Sequence, residues 1–211
     1  TSKNINPDRI AAGDDAEARI VGTNTSDVGV NELRVADLDF FDDEILFQGF
    51  VSAPVWPETA DAGVLRYHPL DGGAPIEIAL VNGVIPDLPT ESISGFELVF
   101  TSSSGGIASG SNAVIDFTIG TTEAAIGSGT TRTLTNSATT SVVAQNGVDA
   151  EATDKAELTL LKPEIDVALT KKIRPSGAVA PGERVVTELQ AKLTTTSDYI
   201  TPTQIVVEDA W

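Results

Sequence analysis

Phe96-Glu97-Leu98-Val99-Phe100-Thr101 and, a short way on, Ala113-Val114-Ile115-Asp116-Phe117-Thr118-Ile119 set the period of this chain. Phe96, Leu98 and Phe100 alternate with Glu97 and Thr101, and Ala113, Ile115, Phe117 and Ile119 alternate with Asp116 and Thr118. Successive side chains of a strand point to opposite faces, so each segment buries one face. The same period of two recurs in Ala18–Thr23, Leu33–Ala36, Val64–Tyr67 and Ile76–Val81, and again in Ile165–Leu169 and Val185–Leu193. No window keeps apolar residues at helical spacing for long. About ten such strands before Pro163 predict an all-β chain of two packed antiparallel sheets.

The turns support this reading. Asn146-Gly147 tolerates the positive φ of a tight hairpin and predicts that Thr139–Gln145 pairs with Ala156–Leu161. Pro69-Leu70-Asp71-Gly72-Gly73 predicts a second hairpin. Phe40 to Phe50, with four Phe around Asp42-Asp43-Glu44, reads as a helical turn feeding a strand at Leu46–Val51. Ser102 to Ser111, nearly all small residues, reads as a mobile connection because it has little to bury. Lys162-Pro163 precedes a fresh alternating strand, and Pro163 cannot donate to a ladder. The predicted domains are therefore 1–162, an elaborated β-sandwich, and 163–211, the first part of a second one.

Of 211 residues, 41% are apolar, enough for a core, and 31 acidic against 13 basic residues give a net charge of −18. That sign argues against electrostatic binding to nucleic acid or an anionic membrane. With no Cys there is no disulfide or thiolate chemistry, so stability has to come from packing. With neither Met nor a long apolar run, the chain reads as a processed product or a piece of a longer one. A signal peptide or anchor is then expected outside these residues, and no membrane insertion within them.

The end of the chain echoes its beginning. Lys171-Lys172-Ile173-Arg174-Pro175 resembles Lys3-Asn4-Ile5-Asn6-Pro7, and Val179-Ala180-Pro181-Gly182-Glu183 resembles Ile10-Ala11-Ala12-Gly13-Asp14. Thr196-Ser197-Asp198 matches Thr25-Ser26-Asp27, and Ile205-Val206-Val207-Glu208-Asp209 resembles Leu33-Arg34-Val35-Ala36-Asp37. Correspondences in the same order are the mark of a tandem array. The Lys-bearing strand, the Ala-Pro-Gly-acid turn and the Val-Val-x-Asp strand of the tail resemble the opening of a conserved repeat, domain of unknown function eleven. That repeat stands in tandem in large bacterial surface proteins. Lys3 to Asp39 resembles it more weakly, and Phe40 to Leu161 matches no family pattern.

The resemblance implies an immunoglobulin-like sandwich in an extracellular stalk or adhesin, at the cell surface or wall, with neighbouring repeats as its partners. It also implies a special lysine. Lys171 stands where some Gram-positive surface domains carry a lysine that forms an intramolecular amide with Asn beside a buried acid. In the first domain the matching residue is Lys3, with Asn136 and Asn146 as candidate partners.

Other chemistry is sparse. His68 is the only histidine, and there is no nucleophile elbow, phosphate loop or zinc spacing, so no catalysis is expected. Asp37, Asp39, Asp42, Asp43 and Glu44 are the candidate Ca²⁺ ligands, since that ion takes six to eight oxygens. Their spacing is not that of a dedicated calcium loop, and a solvated acidic rim is the competing reading. Trp56, Tyr67 and His68 are the candidate ligand platform, set against burial in the core. The expectation is a non-catalytic structural module, with a module that binds carbohydrate or host protein as the alternative. The tail, 163–211, supplies too few strands for a sandwich, so its apolar face, with Leu189, Ala191 and Leu193, is expected to pack against a supplied sheet, through strand pairing with another copy among the options.

Overall fold

A computed structural model describes residues 1–144, 146–162, 164–195 and 202–209. The chain divides into two units, Thr1–Leu161 and Lys162–Trp211. The first holds strands β1 (Ser2–Asn6), β2 (Arg9–Ala11), β3 (Asp15–Thr23), β4 (Val30–Asp37), β5 (Ile45–Phe50), β6 (Ala62–Pro69) and β7 (Ile76–Ala79). It continues with β8 (Ile93–Thr101), β9 (Asn112–Thr121), β10 (Thr131–Ala144) and β11 (Asp149–Leu161). One 3-10 turn, Glu123–Ile126, lies between β9 and β10.

The strands form a four-stranded sheet, β1-β3-β9-β5, and a seven-stranded sheet, β2-β11-β10-β4-β8-β6-β7. All pairings are antiparallel except β2 with β11, which is parallel. The architecture is the all-β pair of packed sheets that the alternation predicts, and it agrees with the immunoglobulin-like sandwich that the resemblance implies. The inward residues are those of the sequence pattern: Ile115, Phe117 and Ile119 of β9 meet Phe96, Leu98 and Phe100 of β8 in one continuous core. Phe41, Phe50, Phe96 and Phe117 are buried in it and half-buried Phe47 packs against them, with Phe96 and Phe117 edge to face at 5.1 Å. Aromatic pairs in that geometry add to the free energy of burial because a ring edge meets a ring face of opposite partial charge.

The Asn146-Gly147 turn is present, with Gly147 at φ 77°, but the pairing differs from the expected one. Thr139 to Val143 lie opposite Thr153 to Asp149, and Ala156–Leu161 instead pairs with residues 131–136, because a tight turn sets the register outward from itself and both strands run on beyond it. Gln145, at the end of the predicted strand, falls outside the described residues. β6 and β7 form the second predicted hairpin. Further expectations differ from the structure. Asp42-Asp43-Glu44 is not helical: the Asp42 carboxylate accepts the N–H groups of Glu44 and Ile45 at 2.7 Å each, and this local turn replaces a helical one. The 102–111 segment is pinned. Ile107 is fully buried, the Asn24 amide donates to the carbonyls of Ile107 and Ala108, and Ser103 donates to Asp61. Small residues let the backbone approach its neighbours, and those neighbours then hold it. Ile205–Val207 carries no strand.

In the second unit β12 (Ile165–Arg174) and β13 (Val186–Thr195) form a two-stranded antiparallel sheet. Within this unit Ile165, Val167, Leu169 and Ile173 are exposed, and Leu189, Ala191 and Leu193 are half-buried. Two strands have no facing layer of their own. The junction residue Pro163 and the Thr196-Ser197-Asp198 match lie outside the described residues.

β8 runs antiparallel beside β4, and just past the end of their pairing, at Gly95, a Cβ would stand 2.5 Å from the Asp37 carbonyl oxygen and 2.6 Å from Leu38 Cα. Backbone cannot yield there as a flexible side chain would. Gly95→Ala is expected to cost about 1–3 kcal/mol as overpacking, seen as a lower urea midpoint at unchanged slope.

Candidate functional site: a buried lysine, aspartate and asparagine between the sheets

Lys3, Asp37 and Asn136 are far apart in the chain and meet in the buried space between the two sheets. The strand period brings them in. β1 buries Lys3 and Ile5 while exposing Ser2, Asn4 and Asn6. β4 turns Asp37 to the side of Leu33 and Val35, and β10 buries Asn136, Ala138 and Thr140 on alternate positions. Each polar residue stands at a position where the alternation calls for an apolar one.

Lys3 Nζ donates to Asp37 Oδ2 at 2.5 Å, and Asn136 Nδ2 donates to the same oxygen at 3.1 Å. Both charged side chains are fully enclosed. The amine also lies 5.7 Å from the centroid of the Phe117 ring. Asp37 Oδ1 and Asn136 Oδ1 are buried without a hydrogen-bond partner.

Burial in an apolar surround disfavours charge on both members of the pair. It pushes the Lys3 amine below its usual range, against the pull of Asp37, and pushes the Asp37 carboxyl up, against Lys3 and Asn136. The single proton between them can rest on either group without changing the net charge. Desolvation favours the neutral pair, an unprotonated amine beside a carboxylic acid. A neutral amine is a nucleophile, a carboxylic acid is a proton donor, and the Asn136 carboxamide beside them is an acyl group. A buried oxygen without a partner is costly, which makes these two positions ones to account for.

The residues singled out from the sequence fare differently. Of the two candidate partners of Lys3, Asn136 is fully buried and in place, while Asn146 is exposed in its turn. Among the five candidate Ca²⁺ ligands, Asp37 is committed to Lys3 and Asn136, Asp42 to its own turn, and Glu44 to Arg132 at 2.9 Å. Asp39 and Asp43 are exposed. The five do not converge, and among the described residues no group of three or more His, Asp or Glu is placed to hold a metal ion. Trp56, Tyr67 and His68 do not share a surface either. Tyr67 is fully buried with its hydroxyl on the Asp87 carbonyl, Trp56 packs edge-on against Phe100, and His68 points to the opposite face of β6, 3.9 Å from Glu97.

No family model matches the chain, and no curated protein matches its sequence. It is similar in structure to domains D2 and D3 of the major pilin SpaD from Corynebacterium diphtheriae, at 17% identity and a TM-score of 0.41, covering 84% of this chain and 57% of that one. It is also similar to BcpA, the major pilin subunit of Bacillus cereus, at 12% identity and a TM-score of 0.46, covering 92% and 54%. A third likeness is to ACE19, the collagen-binding subdomain of the Enterococcus faecalis surface protein ACE, at 13% identity and a TM-score of 0.35, covering 76% and 94%. The chain spans just over half the length of the two pilin chains. At these identities the likeness is one of architecture.

Removing one member of a buried pair strands the other. Asp37→Ala leaves an enclosed amine with no acid and is expected to cost about 3–5 kcal/mol. The double replacement Lys3→Met with Asp37→Leu, which leaves neither charge, is expected to be the more stable of the two variants by urea denaturation.

Proposed function

We propose that Thr1–Leu161 is a non-catalytic structural module of a large bacterial surface protein, and that it staples itself with an amide between Lys3 and Asn136. The observation that carries the proposal is the shared Asp37 oxygen: nucleophile, proton carrier and carboxamide stand together, buried from solvent. Neutral Lys3 Nζ adds to Asn136 Cγ while Asp37 gives its proton toward the carboxamide. The bond from Cγ to Nδ2 then breaks, and the proton surrendered by the amine leaves with Nδ2, through Asp37, as ammonia. No oxidant or cofactor enters the balance, and Asp37 ends as it began.

The link joins β1 of the four-stranded sheet to β10 of the seven-stranded one. It closes a loop of roughly 130 residues, and the chain-entropy argument for cross-links gives such a loop about 5 kcal/mol of stabilisation. A chain without Cys gains in this way what a disulfide supplies elsewhere. Pulled from its two ends, the module would carry load through Lys3 and Asn136 and shield the segment between them. That suits a stalk, at the cell surface or in the wall, in a pilin-like or adhesin-like protein. Among the described residues no helix is long and apolar enough to cross a membrane. The alternative reading, a binder of carbohydrate or host protein, has no gathered aromatic face to support it.

Lys162–Trp211 fits the opening of a second, related module. β12 pairs with β13 so that Lys171 stands opposite Leu189, as Lys3 of β1 stands opposite Ile20 of β3. Lys171 Nζ donates to Asp209 Oδ1 at 2.7 Å, repeating the pairing of Lys3 with Asp37. Lys171 shares the open strand face with Val167, Leu169 and Ile173, the kind of face that Lys3 and Ile5 bury in the first unit.

Intact-mass measurement is expected to find the protein lighter than its sequence by one ammonia. The variants Lys3→Ala, Asp37→Ala and Asn136→Ala should keep the full mass and melt lower, and a full-mass wild-type protein would exclude the bond. Amide formation on refolding is expected to be flat at middle pH and to fall at both ends. In acid a second proton loads Lys3, and in alkali Asp37 loses the proton it must donate.

A further inference from the structure

β1 is an edge strand. Its Lys3 N–H points away from β3, toward the other sheet, and the acceptor there is a side chain: Asp154 Oδ2 of β11, at 2.8 Å. The even positions of β11 run Ala150, Ala152, Asp154, Ala156, Leu158 and Leu160, which makes Asp154 the one charged residue in an otherwise apolar row. β11 is hydrogen-bonded to β10, with Asp154 opposite Ala138 and Ala156 opposite Asn136. The residue that grips the backbone of Lys3 therefore sits one inward position along from the strand partner of Asn136. Thr1 adds a second tie to the same strand, its hydroxyl donating to the Ala152 carbonyl at 2.9 Å.

We propose that Asp154 is a positioning residue for Lys3: by holding the Lys3 backbone N–H from β11 it fixes the edge strand against the strand pair that carries Asn136, and so sets where the amine meets the carboxamide. The proposal rests on the amide reading and adds a residue outside the buried triad. A displacement of about 1 Å in such an arrangement can cost a hundredfold in rate, because attack needs both contact and direction.

Asp154 has two effects of opposite sign, which makes its role separable. As an acceptor it aligns Lys3. As an anion, held below the usual carboxylate range chiefly by the Lys3 N–H, it favours the ammonium form of the Lys3 side chain, which cannot attack. The groups around that amine are Asp37 from β4, Asn136 from β10, Phe117 from β9 and Asp154 from β11, with the Thr1 amino group near Asp154. Asp154→Asn keeps an acceptor and removes the charge, whereas Asp154→Ala removes both.

The test refolds the full chain from denaturant and follows loss of ammonia by intact mass across a pH series. Asp154→Ala is expected to slow the reaction roughly ten- to a hundredfold. Asp154→Asn is expected to restore it and to carry the acidic limb of the rate profile to lower pH. The urea midpoint of each Asp154 variant, taken in a Lys3→Ala background, separates packing loss from loss of rate, since a purely structural role would lower the midpoint and leave the pH limb in place. A wild-type chain that never loses ammonia would remove the amide reading itself. A wild-type chain that reacts, with Asp154→Ala at the same rate or Asp154→Asn as slow as Asp154→Ala with an unmoved limb, would overturn the role of Asp154 alone.

Discussion

An amine and a carboxyl group buried from solvent, with a carboxamide on the same oxygen, is an expensive thing to place between two sheets. The sandwich is arranged so that nothing relieves the expense. Lys3 enters from the edge of the four-stranded sheet, Asp37 from the end of β4 and Asn136 from the middle of β10. The core around them has too little polar surface to solvate charge, and that disfavours the charged form of both members of the pair. The penalty that makes this a poor salt bridge is what the proposed amide exchange would use.

The framework that supports the site is ordinary by comparison. A cluster of Phe side chains and two sheets of alternating residues hold the layers together, and Phe117 belongs both to that cluster and to the wall beside the Lys3 amine. The close approach at Gly95 lets β8 lie against the backbone of Asp37. Asp154 ties the edge strand to the opposite sheet at the lysine of the buried triad. Stability and chemistry use the same contacts, so a defect in packing near β1 or β4 is also a defect in alignment.

Several features could be read from residues in order. Strands, hairpins and the all-β class follow from a period of two and from turn dipeptides such as Asn146-Gly147, because these depend only on neighbours along the chain. The polar interruptions were also visible: Asp154 in a row of Ala and Leu on β11, and Asn136 in line with Ala138. Their meaning was not, since an acid at the end of β4 looks the same whether it faces solvent, a cation or a lysine. The acidic run from Asp37 to Glu44 was grouped by nearness in sequence, and the fold scatters it because Asp37 ends an inward-facing row while Asp42 and Asp43 lie in a surface turn. Trp56, Tyr67 and His68 were grouped in the same way and parted by strand geometry, in which adjacent residues face opposite sides.

What the amino-acid order determined by itself was the strand period and most of the strands, the sign of the net charge and the absence of thiol chemistry, while the lysine was singled out through a family resemblance. What only the tertiary structure decided was the company that lysine keeps: Asp37 as its acid, Asn136 in place of Asn146, and Asp154 at its backbone. The reason is physical. Local periodicity is written in contacts a few residues apart, whereas a desolvated triad depends on long-range sheet packing that brings residues 3, 37 and 136 within hydrogen-bonding reach and buries them from solvent.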